Sequence, residues 1–439
     1  MKRLSMAAAH DFILKKAQAD RVDAEILATE ERKLTLESFE LELSQITQAT
    51  QGGLGIRVVS GGKTGYASTE EVTEEALDWV YTEAKENAEL QSETGGFLPA
   101  GQNLGYKDLL SEGLSAPIEE KADAALELEK NLRSDKRMQQ VAINRYAETE
   151  TQVSLSSTQG AKGGYRNGYS ALMASFIMRE GDSLKQAFDF QLEKDFHVLE
   201  PGKTALDMIE RVGRQLGASN LKTGRYTAYF EPKAFAQILG LVIYMLSAKS
   251  VMEGKSRLAD KLGKQVASSL VNLIDDPDLK DGKANQPFDS EGTPTTRIAL
   301  VENGILKSFF HNSHTAKHLG QANTGHAQRS YKATLGISNT NFFLEPGQGL
   351  KPQNGIIITD LMGVHAGANP ISGDFSLQAF GLKVNAEATE PVENFVISGN
   401  LLDLLTKISG LGDTLEWNPF SGMIGSPMVE VQDLSFAGS

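Results

Sequence analysis

Apolar and alanine positions recur at helical spacing over residues 5–19 and 69–91, and two extended stretches, 23–48 and 54–68, lie between them. The predicted order is helix, strands, helix. In Ser60-Gly61-Gly62-Lys63-Thr64-Gly65, between Ile56-Arg57-Val58-Val59 and Tyr66-Ala67, the glycines supply the positive φ that a tight hairpin needs. A β-hairpin packed under helices follows. The segment Thr94 to Pro117 is rich in Gly, Pro and Ser and reads as a connection before a helix at 118–134.

From 138 to 198 the pattern becomes long antiparallel strands, with apolar alternation at Val141–Ile143, Thr151–Leu155, Tyr169–Met173 and Ala187–Phe190. Gly160, Gly163, Gly164 and Gly168 break these runs. A helix at 203–217 leads through Ala218-Ser219-Asn220 to the last region, which opens with a strand at Tyr226 and a helix from about 232 to 251. Short strands with Gly, Pro and Asn turns then run to the end. The predicted fold class is α+β: an N-terminal α/β region with antiparallel strands and helices, and a C-terminal mainly-β domain with one long buried helix. Residues 1–100, 101–222 and 223–439 form its three regions.

Composition narrows the function. At 439 residues, 40% hydrophobic and 23% charged, the chain builds a real core throughout and is no disordered polypeptide. Lys and Arg number 43 against 57 Asp and Glu, a net charge of -14, so direct nucleic-acid binding is disfavoured. The absence of cysteine excludes disulfides, thiolate zinc sites and a cysteine nucleophile, and fits a reducing compartment. The apolar start Met6–Ala9 is too short for a secretory signal, so a cytoplasmic location is expected. The longest apolar run, Ile238 to Ala248 with breaks at Gly240 and Ser247, falls short of the roughly 20 residues that cross a bilayer and reads as a buried helix.

Common catalytic signatures are missing. No Gly-x-Ser-x-Gly elbow occurs, and Gly62-Lys63-Thr64 carries Arg57 where a phosphate loop needs its first glycine. The acidic run Asp275 to Gly282 lacks the fifth-position oxygen and twelfth-position glutamate of a calcium loop and reads as a solvated acidic turn. Among seven histidines, His311, His314 and His318 are the candidate metal cluster, since on a helix His314 and His318 share a face. No carboxylate lies between those two to serve as a base, which favours polar histidines at a strand-to-helix edge over a metal site.

Several ordered blocks carry a resemblance. These are Asp275-Asp276-Pro277 with Phe288-Asp289-Ser290-Glu291-Gly292, Thr315-Ala316 with Thr324-Gly325-His326-Ala327-Gln328-Arg329, and Asn339 with Glu345-Pro346-Gly347. Asn369-Pro370-Ile371-Ser372-Gly373-Asp374-Phe375-Ser376, Ile397-Ser398-Gly399-Asn400-Leu401 and Gly425-Ser426-Pro427 complete them. The chain resembles the TldD/PmbA metallopeptidase family, and within it the PmbA (TldE) type. Catalytic subunits of that family carry His-Glu-x-x-x-His on a helix, two zinc-holding histidines and a glutamate that activates water. The matching helix begins Pro232-Lys233-Ala234-Phe235, and Gly240, Leu241 and Met245 take the places of His, Glu and His to within about a residue. A further ligand near the C-terminus, often cysteine in the family, has no counterpart.

The resemblance implies a chain with no catalytic residue and no cofactor of its own, zinc being expected in the catalytic partner. Its partner is then a TldD-type catalytic subunit or a second copy, as a hetero- or homodimer, with unstructured peptides as substrate and no nucleic acid or membrane involved. His326, Arg329, Asn339, Gly373, Asp374 and Ser376 are the substrate-binding candidates. Arg329 is suited either to a peptide carboxylate or to a structural ion pair, and Asp374 either to substrate or to capping a turn. Other readings stay open at this point: a stand-alone homodimeric peptide-binding protein, a peptidase built on the histidine cluster, and a modulator of DNA gyrase, the family's older label. Whether the chain is an enzyme is also open.

Overall fold

The computed structural model describes residues 3–419 and 422–438. The first half runs α1 (Met6–Asp20), β1 (Asp23–Phe39), β2 (Glu42–Ser60), β3 (Lys63–Thr69), α2 (Glu74–Glu89), β4 (Asn103–Asp108), α3 (Ile118–Arg133), β5 (Met138–Ser157), β6 (Lys162–Glu180), β7 (Ser183–Glu193) and α4 (Pro201–Gly213). One sheet takes in all seven strands, in the order β3-β2-β1-β5-β6-β4 with β7 on β6, so the N-terminal and middle regions share it. The predicted hairpin is present: Gly61 and Gly62 turn between β2 and β3 with φ of 55° and 75°. A second turn divides the extended stretch 23–48 at Glu40 and Leu41, both with positive φ and neither a glycine.

Alternation sets the layers. Even-numbered residues of β1, from Ala24 through Ile26, Leu34 and Leu36, face the helices, and the odd-numbered ones face the other way. α1 and α2 cover Ile26, Leu54, Ile56 and Val58 with Ile13, Leu77, Val80 and Tyr81. α3 and α4 cover Leu34, Leu36, Tyr146, Leu172 and Phe176 with Leu128, Leu132, Met208 and Val212. Each buried aliphatic or aromatic side chain of this kind contributes about 1.5–3 kcal/mol. Ser5 and Thr73 start α1 and α2 by accepting main-chain N–H bonds.

The second half runs β8 (Ser219–Asn220), β9 (Gly224–Phe230), α5 (Pro232–Leu246), α6 (Ala248–Met252), β10 (Leu273–Asp275), β11 (Ile298–Glu302), β12 (Ile305–Leu306), α7 (Ser313–Leu319), β13 (Ala327–Gln328), β14 (Gly336–Ile337), β15 (Asn341–Leu344) and β16 (Gly355–Met362). It closes with α8 (Val364–Gly367), β17 (Asp374–Val384), β18 (Thr389–Asn400), α9 (Leu401–Thr406), β19 (Ile408–Leu411), β20 (Glu416–Asn418), β21 (Met423–Ser426) and β22 (Val429–Ala437). β22 pairs with both β9 and β18, which closes β9, β16, β17, β18 and β22 into a barrel. A second sheet has the order β12-β11-β10-β15-β21-β20.

α5 is wedged between these layers, touching β16 on one side and β20 and β21 on the other. Phe235, Ile238, Leu239, Val242, Met245 and Leu246 bury its core side, while Gln237, Gly240, Leu241 and Tyr244 are half-buried. The helical pattern to 251 resolves into α5 and α6, because Ser247 is extended and bridges Phe310. Among the described residues no helix is long and apolar enough to cross a membrane.

Candidate functional site

The odd-numbered face of the long sheet meets the C-terminal domain through a buried charge network. Arg57 on β2 donates from Nη2 to Glu25 Oε2 and from Nη1 to Glu291 Oε1, each at 2.9 Å. Arg329 donates from Nη2 to Glu25 Oε1 at 3.1 Å and to the Gly55 carbonyl at 3.4 Å. Glu291 also accepts the Ser313 main-chain N–H at 2.8 Å and its hydroxyl at 2.6 Å. All four charged side chains are at most 4% exposed, so two cations and two anions neutralise each other away from water. Burial works against the charge on Arg57, but Glu25 and Glu291 outweigh it and raise its pKa. Arg329 falls the other way: burial and the repulsion of Arg57 overcome Glu25 and lower its pKa.

Beside this network lies a cavity of about 490 Å³ between sheet and C-terminal domain, lined by Thr29, Glu31, Tyr165 and Asn167 on one wall and by Asp289, Arg329, Asn339 and Thr340 on the other. Asp289 accepts N–H bonds from Glu291, Thr293 and Ala327, each within 3.0 Å. Burial and the nearby Glu291 outweigh those bonds and push its carboxyl up to about 7. Burial and Asp289 together raise the Tyr165 hydroxyl. A wider cleft of about 1090 Å³ opens near β7 and α4, where Lys233 and Arg211 pair with Asp189 beside Glu416 and Trp417.

Of the residues singled out from the sequence, Arg329 and Asn339 share the smaller cavity. Arg329 is committed to Glu25, while Asn339 Nδ2 donates to the carbonyls of Thr340 at 2.9 Å and Met423 at 3.2 Å. His326 is buried behind the wall, its Nε2 3.1 Å from Asp275 and its ring 4.6 Å from that of Phe310. Asp275 is itself fully buried and also accepts the Thr340 N–H at 2.8 Å, so the acidic run is no solvated turn at that residue. Gly373, Asp374 and Ser376 do not line the cavity; they sit at the start of β17. Asp374 accepts from Asn400 Nδ2 at 2.9 Å, and a side-chain carbon on Gly373, whose φ is 82°, would lie 3.2 Å from Met245 Cε. The candidates thus fall into two groups, one at the domain junction and one against the end of α5.

A metallopeptidase centre requires a set of metal ligands. Gly240 and Leu241 are half-buried and apolar, Met245 is fully buried in the C-terminal core, and β21, which packs on α5, carries Met423, Ile424, Gly425 and Ser426. None is a zinc ligand of the usual kind. Nor do the three histidines converge: His311 is buried with Nδ1 3.2 Å from Thr315 Oγ1, whereas His314 and His318 stack on the exposed side of α7 with ring centroids 6.3 Å apart. Among the described residues no group of three His, Cys, Asp or Glu is placed to hold a metal ion. These residues do not fit zinc.

Sequence reading missed Glu25, Arg57 and the role of Glu291, although Phe288–Gly292 stood among the resembling blocks. Arg57 and Glu291 lie 234 positions apart, and no local pattern reports such a pair.

Comparison with known proteins places the whole chain. Models of the PmbA/TldA metallopeptidase family match it in order: domain 1 at residues 24–88, the central domain at 112–219 and the C-terminal domain at 223–438. Metalloprotease PmbA of Escherichia coli O157:H7 is 26% identical over 95% of both chains. The Metalloprotease PmbA homolog of Haemophilus influenzae is 27% identical over 92% of this chain and 90% of its own. Among solved structures, a candidate modulator of a DNA gyrase from Thermotoga maritima superposes with a TM-score of 0.89 at 28% identity, covering 99% of this chain and 100% of its own. TldE from Thermococcus kodakarensis shares the fold, with a TM-score of 0.88 at 20% identity over 98% of this chain and 100% of its own. The chain belongs to the PmbA/TldD metallopeptidase family.

Proposed function

We propose that this chain is the non-catalytic subunit of a cytoplasmic PmbA/TldD-type peptidase that acts on small unstructured peptides, with zinc held by a TldD-type partner. The observation that carries the reading is the chemistry of α5, where Gly240, Leu241 and Met245 stand at the places expected for two ligands and a base. A subunit with such a helix contributes walls and docking surface, and the water-activating chemistry belongs to its partner. The cavity beside Arg329 and Asn339 has the polar lining that peptide main-chain groups require.

The test is to purify the tagged chain from its own host and measure native mass and zinc together. A second chain bearing His-Glu-x-x-x-His with about one zinc per pair supports the reading. A zinc-free homodimer overturns it in favour of a stand-alone peptide-binding protein. Reproducible co-purification of gyrase subunits instead would favour the modulator label carried by the Thermotoga relative.

A further inference from the structure

The outer edge of β2 is unlike the rest of the molecule. Every residue from Glu42 to Gln51 is exposed. β1 holds the inner edge along the strand, whereas β3 takes up the outer edge only from Leu54 onward. Among the described residues no strand pairs with the outer edge before Leu54, so roughly 33 Å of strand presents unpaired main-chain donors and acceptors.

Soluble proteins normally blunt such an edge with lysine, proline or short length, because an open edge templates further pairing. Glu42-Leu43-Ser44-Gln45-Ile46-Thr47-Gln48-Ala49-Thr50-Gln51 has no Lys, Arg, Pro or Gly, and Glu42 is its single charge. In a chain of net charge -14, this nearly uncharged stretch offers another acidic subunit little repulsion.

Side chains point to the same conclusion. Ile46 lies opposite Leu36 and Leu43 opposite Ser38, so both continue the helix-covered face. α3 helps to bury Leu34 and Leu36 but leaves Ile46 53% and Leu43 38% exposed. The sheet therefore ends in an apolar step beside a free edge.

We infer that this edge docks a second subunit of the same fold, through antiparallel pairing with the partner's matching edge that joins the two sheets into one. The inference rests on the reading of the chain as one half of a pair. Antiparallel pairing about a dyad perpendicular to the sheet keeps both helix-covered faces on the same side. Leu43 and Ile46 then meet their counterparts between the two α3 helices. An extended peptide would satisfy the same main-chain groups but brings no helix to extend the covered face over that apolar step.

The experiment uses the assembly purified from its own host through a tag on this chain, with native mass spectrometry and amide hydrogen exchange. In the wild type, a pair is expected whose outward-pointing amides over 43–51, those not bonded to β1, exchange at least tenfold more slowly than in the separated chain. Ile46→Lys/Gln48→Lys, and independently Thr47→Lys/Ala49→Lys on the opposite face, are expected to yield the single chain with the thermal midpoint of the separated wild-type chain, since exposed substitutions shift stability by only about 0.5 kcal/mol. Leu184→Lys, at an exposed apolar position on β7, is expected to keep the pair. If both edge variants keep the pair and 43–51 exchanges freely, the edge inference falls while the subunit reading stands. If the wild type has no second subunit, both fall. Protection of 43–51 that appears only on adding an unstructured peptide to the single chain also overturns the inference, in favour of a peptide site.

Discussion

Gly55 and Tyr331 touch backbone to backbone: a side-chain carbon on Gly55 would lie 2.2 Å from the Tyr331 carbonyl oxygen. The loop carrying Tyr331 is anchored on the far side by Glu70, which receives the Tyr331 hydroxyl at 2.8 Å and pairs with Lys332 at 2.5 Å. Gly55→Ala must therefore push the C-terminal domain off the sheet. Overpacking of this kind costs about 1–3 kcal/mol. A lowered denaturant midpoint with a nearly unchanged slope is the expected result, and an unchanged midpoint would mean that the two layers are not held at this spacing.

The Glu25–Arg57–Glu291–Arg329 network is expected to respond steeply to losing a single member. Arg57→Met leaves Glu25 and Glu291 facing each other with only Arg329 to offset them, and breaking a buried pair on one side costs about 3–5 kcal/mol. Arg57→Met combined with Glu291→Gln removes one charge of each sign and is expected to cost less than the sum of the single variants. Urea unfolding of the two singles and the double measures the coupling, and strict additivity would show that the groups act independently.

How much of this was legible in the sequence follows from the range of each signal. Helical periodicity and the Gly61-Gly62 turn are local, and they located α1, α2, α3 and the β2–β3 hairpin. The Glu40-Leu41 turn adopts positive φ without a glycine, so nothing in the residue types separated β1 from β2. Asp275 looked solvated in an acidic run, yet it is the buried acceptor for His326 and Thr340, a role fixed by residues 51 and 65 positions away. Arg329 and Asn339 were reached through family blocks. The partner of Arg329, Glu25, depends on how the sheet docks, which leaves no trace in periodicity.

Acidity should act through buried groups of opposing sign, two histidines against Asp289 and its like. Burial, partly offset by Asp11, lowers His10 to about 4, and burial with nearby His326 lowers His311 to about 4, against an ordinary value of 6.5. Both take up a proton more readily when unfolded, so stability is full above about 6.5 and falls as the pH drops towards about 4. Asp289, raised from 3.8 to about 7, binds its proton in the folded state; its contribution is full below about 4 and is lost as the pH rises through about 7. Burial also raises the carboxyls of Glu231 and Asp360, which act in the same sense as Asp289 and offset part of the histidine slope, while each histidine alone contributes about one proton, roughly 1.4 kcal/mol per pH unit. His10→Gln is expected to remove about one proton from that slope, measured by unfolding at a series of pH values. A slope identical to wild type would mean that His10 titrates normally.

Metal content offers the sharpest check on the subunit reading, and the geometry of α7 says what His314→Ala should do. His314 and His318 are exposed and stacked at helical spacing, enough for weak two-point metal contact. His311 is turned inward and bonded to Thr315, with no carboxylate placed to complete a set of three among the described residues. The purified single chain is therefore expected to lose added zinc on dialysis, and His314→Ala to show the same residual metal and the same thermal midpoint. Stoichiometric zinc that survives dialysis in the wild type and disappears in His314→Ala would instead place a metal centre on this chain, and the division of labour proposed for the pair would have to be abandoned.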